Sequence, residues 1–305
     1  MNGTYFLALL AGALLCSVLF GWRLQRQGLK PHLAAAAMPV SVVVAAIMAK
    51  VVYFLAKLPE QLDNYGIAGL LRTRPAEFSF VGGCIGVVLV LILMAKVMGK
   101  PVLLVLDAFA PCGALMAAFV RGCESLLDPM SLVGMGDFVA NPALQVFPLA
   151  VENTMLYSWF YAVFMLETVL AVIVAVVGFL RSWKEQFAPG RVALQTALFL
   201  ALPQIFCERL LNQCTKWGFV RVEQLLCAVI VFAVILMGCS KARWFLPALL
   251  DFVCVAVLIW MEFTLDNKLL FGIELTPMTC YMVQIASLCG MAALAQWAFS
   301  RANKA

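Results

Sequence analysis

The amino-acid sequence predicts an all-α, polytopic integral membrane protein with about nine transmembrane helices. Two observations carry this expectation. Hydrophobic residues make up 65% of the chain and charged residues 12%, whereas soluble domains are about half apolar and about a quarter charged; the mean hydropathy is +1.00. The apolar residues are also gathered into runs close to the roughly 20 residues that cross a bilayer. Nine such runs fall at about 5–20, 33–57, 78–96, 102–120, 158–180, 192–211, 222–239, 244–262 and 278–299.

Taken in order, the first run begins within "MNGTYFLALLAGALL", with no Lys or Arg before it and no small-x-small cleavage site near its end. That reads as a retained helix rather than a removable signal peptide. The second run is long enough to tilt or to carry a polar end, and holds Lys50 with Tyr53 one turn on. The third opens on "FVGGCIG". The fourth carries Asp107 near one end and finishes at Arg121 and Glu124. Residues 121–157 form the longest non-spanning segment. Gly134, Gly136, Pro129, Pro142 and Pro148 predict irregular backbone or short helices there. The segment is also apolar for a loop, so it reads as a small cap lying on the membrane surface. The fifth run places Glu167 at mid-depth. The sixth puts Gln204 and Glu208 on one face with Arg209 beside them, and Pro203 loosens that helix. Gln224 opens the seventh; two further runs close the chain.

Orientation follows from the loop Lys and Arg. With the N-terminus outside, cytoplasmic segments hold twelve of them and external segments seven. The chain is therefore expected to run N-out and C-in, with the cap on the extracytoplasmic side. The net charge of +5 is modest and no long basic run occurs, so no nucleic-acid partner is expected. The eleven cysteines show no C-x-x-C spacing, which argues against a metal or disulfide framework; buried free Cys behaves as a small hydrophobe. His32, beside Lys30 and Pro31, reads as a solvated loop residue. No metal or cofactor is expected.

Ionisable residues inside a span cost roughly 2.5–3.5 kcal/mol each at the helix centre, so they need a reason. In the N-out orientation Tyr5, Lys50 with Tyr53, Gly82 with Gly83 and Gly86, Arg121 with Glu124, and the Gln204, Glu208, Arg209 group all fall at the outer ends of five helices. A polar cavity open to the outer leaflet would satisfy them together. Each also has a plainer reading. Arg121 would snorkel to the interface, Glu208 would pair with Lys50 or Arg121, and the glycines would only let helices approach. Asp107 and Glu167 would be structural hydrogen-bonders, and Tyr53, Tyr157 and Trp159 interfacial aromatics.

Read in order, these features resemble the prolipoprotein diacylglyceryl transferases of bacterial inner membranes. Tyr5 matches that family's early tyrosine, and "IMAKVVYFLAK" its second helix, with Lys50 in the place of an arginine. "FSFVGGCIGVVLVLILMAKVMGKPVLLVLDAFAP" follows the pattern from the third helix into the fourth, which ends on the signature arginine at Arg121. Phe147-Pro148, Gln204-x-x-x-Glu208 and Gln224 continue it. The likeness covers about residues 5–240. Val81 stands where the family has histidine, "GCESLLDPM" replaces its Asn- and Gly-rich signature, and Gln204 aligns with its second phosphate-holding arginine.

The resemblance implies a seven-helix transferase-like domain over 1–240 and two additional C-terminal helices over 241–305. It implies a multi-pass enzyme of the bacterial cytoplasmic membrane that moves a diacylglyceryl group from phosphatidylglycerol to the lipobox cysteine of a prolipoprotein. Its partners would be that phospholipid and the prolipoprotein signal peptide. Arg121, Lys50, Gln204, Arg209, Gly82 and Gly83 would bind substrate; Glu124, Glu208 and Tyr5 would do chemistry, with a glutamate in place of the missing histidine base. The alternative is a divergent phospholipid-binding protein without thiol transfer. A secondary transporter is disfavoured, because no internal repeat is visible and the polar set lies toward one face.

Overall fold

A computed structural model describes residues 3–127, 132–184, 188–217, 220–238, 245–267 and 275–302. Pro129, expected in the cap, and Lys241, Arg243, Lys268 and Lys304, counted for orientation, lie outside the described residues. Among the described residues ten α-helices carry the architecture: α1 Gly3–Arg26, α2 His32–Ala56, α3 Leu58–Tyr65, α4 Phe80–Val97, α5 Val102–Gly122, α6 Val163–Lys184, α7 Arg191–Leu210, α8 Val222–Gly238, α9 Phe245–Asn267 and α10 Pro277–Ala302. All but α3 coincide with an apolar run of the sequence. Seven are long and apolar enough to cross a membrane: α1, α2, α4, α5, α6, α9 and α10. Helix α8 is apolar but has only 17 residues, and α7 carries Gln195, Gln204, Glu208 and Arg209.

The chain divides into two compact units. The first comprises Met1–Thr196 with Leu210–Thr215, the second Ala197–Arg209 with Lys216–Ala305. The division falls within α7.

In the first unit α1 buries Gly12, Cys16, Phe20 and Leu24, spaced one turn apart, while Leu7, Leu10, Leu14 and Val18 stay exposed. A leucine-lined outer face of this kind suits lipid, which has no quarrel with apolar side chains. Helix α2 packs on α4 through glycine. A Cβ on Gly82 would lie 2.8 Å from Val52 Cβ and 2.9 Å from the Met48 carbonyl, and one on Gly86 3.0 Å from the Val44 carbonyl. Gly82 and Gly86 thus form a G-x-x-x-G contact that lets the two backbones approach. Ser79 caps α4, accepting from Gly82 N–H at 2.9 Å.

At the other end of this unit Pro111 decides the packing. Lacking an N–H, it leaves the Asp107 carbonyl without its helical partner. Arg23 fills the gap, donating from Nη2 to Asp107 O at 3.0 Å, from Nε to Ala108 O at 2.8 Å and from Nη1 to Ser182 Oγ at 2.6 Å. Arg23, counted in the sequence among free loop charges, is therefore a buried tie between α1, α5 and α6. The side chain of Asp107 caps α7: its carboxylate accepts from Gly190 N–H at 2.6 Å and Ala193 N–H at 2.8 Å. Asp107→Ala strands two buried donors, so a loss of about 1–3 kcal/mol is expected, read as a lowered unfolding midpoint in detergent, with Asp107→Asn intermediate. Trp22 and Trp183 flank Arg26 at the same end, with its guanidinium 5.1 and 4.5 Å from the two ring centroids.

The cap is more ordered than expected. Strand β1, Ala150–Asn153, pairs antiparallel with β2, Ser158–Tyr161. Gly136 N–H donates to Tyr161 O and Val139 N–H to Trp159 O. The fifth helix consequently starts at Val163, not at 158, because "SWFY", aromatic and suited to a half-buried strand, is used in the hairpin. A second small hairpin, β3 Lys216–Trp217 with β4 Val220–Arg221, precedes α8. In the second unit α8, α9 and α10 pack on one another, with Gly238 against Phe299.

Candidate functional site

The later start of α6 moves Glu167 from mid-depth to the second turn, where it meets Arg121. Arg121 closes α5 and is 7% exposed. Its Nη1 donates to Glu124 Oε1 at 2.7 Å, and its Nε lies 3.1 Å from Glu167 Oε2. The guanidinium also stacks 4.2 Å from the centroid of Phe80, the first residue of α4. Burial with two carboxylates and a ring rules out simple snorkelling.

Glu124 sits in the short 3-10 turn Glu124–Leu126, on which α1 packs. One oxygen holds Arg121. The other, Oε2, has no hydrogen-bond partner among the described residues and lies against Gly134. Gly134 has φ +73 and donates no side chain to the space; its carbonyl accepts from Phe164 N–H at the head of α6. Burial raises the Glu124 carboxyl above its ordinary 4.5, and Arg121 opposes the rise. Tyr5, near the start of α1, is within electrostatic reach of Glu124, Cys123 and Arg121.

A second buried pair lies where α2 approaches α4. Lys50 Nζ meets Glu77 Oε2 at 2.7 Å, with side chains 7% and 9% exposed, and Tyr53 and Phe78 each lie with a ring centroid 5.6 Å from the ammonium. The sequence did not single out Glu77; the burial cost of an intramembrane lysine was the signal that a carboxylate had to be near. Gly82 faces Val52 and Met48, as described above. Gly83 is looser, with a Cβ there 3.7 Å from the nearest atom.

The remaining predicted residues belong to the second unit. Gln204 Nε2 lies 3.4 Å from Glu208 Oε2, as the shared helix face predicts, and the Glu208 carbonyl accepts from Arg221 Nη1 at 2.6 Å. Arg209 pairs with Asp266 at 2.9 Å and Glu262 at 3.4 Å. Both carboxylates come from α9, whose role in the site the sequence did not reveal.

Every cation expected to hold a phosphate therefore already has a carboxylate: Lys50 one, Arg121 two, Arg209 two. These cations and carboxylates form neutralised pairs. The physical reason is that an uncompensated charge costs several kcal/mol away from water. The described cysteines are all free, and among the described residues no His, Cys, Asp and Glu cluster suits a metal. His32 is exposed at the first residue of α2.

Comparison with known proteins gives one family. The family model described as prolipoprotein diacylglyceryl transferase matches residues 3–239. No curated protein matches the chain.

Proposed function

We propose a lipid-transfer function for this chain, which belongs to the prolipoprotein diacylglyceryl transferase family. The reaction is transfer of a diacylglyceryl group from phosphatidylglycerol to the thiol of a lipobox cysteine. It takes place in a bacterial cytoplasmic membrane that the chain crosses nine times, N-terminus outside, with residues 1–240 as the transferase part and 241–305 as an addition.

The observation that carries this reading is the Arg121–Glu124 pair, in which one carboxylate oxygen holds the guanidinium and the other has no hydrogen-bond partner among the described residues. The chemistry divides between them. The acceptor thiol, ordinarily of pKa about 8.5, gives its proton to Glu124, which takes the part that Val81 cannot. The sulfur attacks the glyceryl carbon of the donor, an S–C bond forms, and the C–O bond to phosphate breaks with its electrons on oxygen. Glycerol phosphate leaves, held by Arg121, which matches phosphate bidentately, with Lys50 acting as a point charge. Protonation of Glu124 weakens its claim on Arg121, so the guanidinium is released to phosphate as the leaving group gains charge. Tyr5 hydrogen-bonds the donor.

This scheme sets a pH dependence. Glu124 accepts a proton only when ionised, and burial holds its pKa above 4.5. Transfer is expected to rise with pH through a midpoint above that value, and Glu124→Gln to lose the rise together with the activity. Stability has the opposite sign. The folded state keeps the Glu124 proton longer than the unfolded chain does, so this contribution is complete below about 4.5 and is lost as pH climbs through the raised value. The wild type is thus expected to fall relative to Glu124→Gln over that window, measured as unfolding midpoints of the two proteins in detergent.

A second reading has its own support: the cations are already neutralised and the histidine position is Val81. On that reading the chain binds phospholipid without transferring it. Expression in cells depleted of their own transferase, together with transfer by the purified protein, separates the two. Rescue and turnover support the enzyme; retained phospholipid with neither supports the second reading.

A further inference from the structure

Arg26 closes α1 and is exposed. Lys50, Arg121 and Arg209 are each neutralised by carboxylates; Arg26 is not. Among the described residues its side chain makes no ion pair and no hydrogen bond. It is nonetheless held in place. Its guanidinium carbon lies 5.1 Å from the ring centroid of Trp22 and 4.5 Å from that of Trp183, and the two rings are 5.5 Å apart and inclined at 52°. Trp22 and Arg26 come from α1 and Trp183 from α6; the bond from Arg23 to Ser182 ties the same two helices beside them. Ring faces engage a guanidinium through its charge and leave the N–H groups along its edge unused. The cation is therefore fixed in position with its donors still to be satisfied. Such an edge matches a phosphate, which accepts parallel N–H···O bonds from it.

The surroundings say which phosphate. On α1 Leu14, Val18, Trp22 and Arg26 follow at four-residue spacing, and Leu14 and Val18 are exposed. On α6 the exposed Ile173, Val176 and Leu180 lead in the same way to Trp183. Both helices are long and apolar enough to cross a membrane, so these ridges face acyl chains, and both end on the cluster. From Leu14 to Trp22 the α1 ridge rises about 12 Å at about 1.5 Å per residue, most of the roughly 15 Å that one leaflet gives to the hydrocarbon core. Tryptophan at the end of a span sits at headgroup level. Lys30, Lys96 and Arg181 are exposed at this end, whereas Asp107, the carboxylate described there, is buried and caps α7. That surplus favours a lipid of net negative charge over a zwitterionic one. We propose that Trp22, Arg26 and Trp183 bind the headgroup phosphate of an anionic phospholipid, whose acyl chains lie along the exposed ridges of α1 and α6. Arg26 is separated from Tyr5 by about 30 Å along α1, so the site is distinct from the Arg121 centre and does not rest on the transfer reaction.

The test uses the full chain in micelles of an uncharged detergent and phosphatidylglycerol with a diazirine on its headgroup, with labelled peptides mapped after irradiation. Label is expected on the peptides that hold Trp22 with Arg26 and Trp183. Unlabelled phosphatidylglycerol should compete for it, phosphatidylcholine should compete far less well, and soluble glycerol phosphate should not compete. Arg26→Gln is expected to weaken this label by about ten-fold or more, since it removes both the charge and the charge-assisted hydrogen bonds. Lys30→Gln, which removes only a nearby charge, is expected to weaken it by about five-fold at most. Trp22→Leu with Trp183→Leu keeps every charge but frees the guanidinium, and should weaken the label severalfold. Should that double variant fail to fold, Arg26→Gln at its exposed position and the competition series decide alone. Label indifferent to Arg26→Gln, or lost equally with Lys30→Gln, overturns the proposal. So does equal competition by phosphatidylcholine, which denies the preference for charge, or by glycerol phosphate, which makes the ligand a soluble phosphate rather than a lipid.

Discussion

Arg121→Ala is expected to abolish diacylglyceryl transfer and to destabilise the protein by about 3–5 kcal/mol, the usual result of removing one partner from a buried ion pair. The side chain is 8% exposed and two carboxylates of 7% and 3% exposure depend on it. Without the guanidinium, Glu124 and Glu167 become buried acceptors of like charge. Arg121→Lys keeps the charge but holds the two acidic groups less well and loses the planar stack on Phe80; partial stability with a large loss of turnover is expected. A structural role and a chemical role are separated by the triple change Arg121→Leu, Glu124→Gln, Glu167→Gln. Removing all the charges together should recover most of the stability, because no carboxylate is then stranded. If transfer returns as well, Arg121 has no part in the chemistry. The measurements are the unfolding midpoint in detergent and lipid transfer by the purified variants.

Gly82→Ala and Gly83→Ala, neighbours in sequence and both expected to bind substrate, should behave in opposite ways. A methyl group at Gly82 meets Val52 Cβ at 2.8 Å and the Met48 carbonyl at 2.9 Å, and a backbone atom cannot step aside. Separating α2 from α4 is expected to cost about 1–3 kcal/mol. It also displaces Phe80, which stacks on Arg121, so transfer should fall further than stability alone predicts. At Gly83 the nearest atoms are the Ala45 carbonyl at 3.7 Å and Ala49 Cβ at 3.8 Å, ordinary contact distances. There alanine should be neutral or stabilise by up to about 1 kcal/mol, through the entropy of the unfolded chain. A stable Gly83→Ala protein with impaired transfer would identify that position with substrate contact; one with full activity would remove it from the site. Loss of stability at Gly83 equal to that at Gly82 would contradict the packing described for α2 and α4.

How far the sequence could be read depended on the range of the forces involved. Among the described residues nine helices stand where nine apolar runs stand, because transfer of apolar side chains from water is local and additive along the chain. Glu124 beside Arg121 and Gln204 beside Glu208 were legible for the same reason: three- and four-residue spacings make neighbours on any helix. Glu77 for Lys50, Glu167 for Arg121 and Glu262 with Asp266 for Arg209 were not. Those partners lie 27, 46, 53 and 57 residues apart along the sequence, and spacing carries no information across such gaps. The need for a partner was readable from each buried charge; its identity was not.

Composition and periodicity alone determined that the chain is a helical membrane protein, where its helices run, and that charged residues inside them require compensation. Tertiary contact alone decided that "SWFY" is a strand, that Arg23 serves a carbonyl freed by Pro111, that Gly82 lets α2 and α4 approach too closely for a side chain, and that α9 supplies carboxylates to α7. The reason is that burial preference is a property of each residue, whereas a hydrogen bond or an ion pair is a property of two, and the second residue is chosen only when the helices have met.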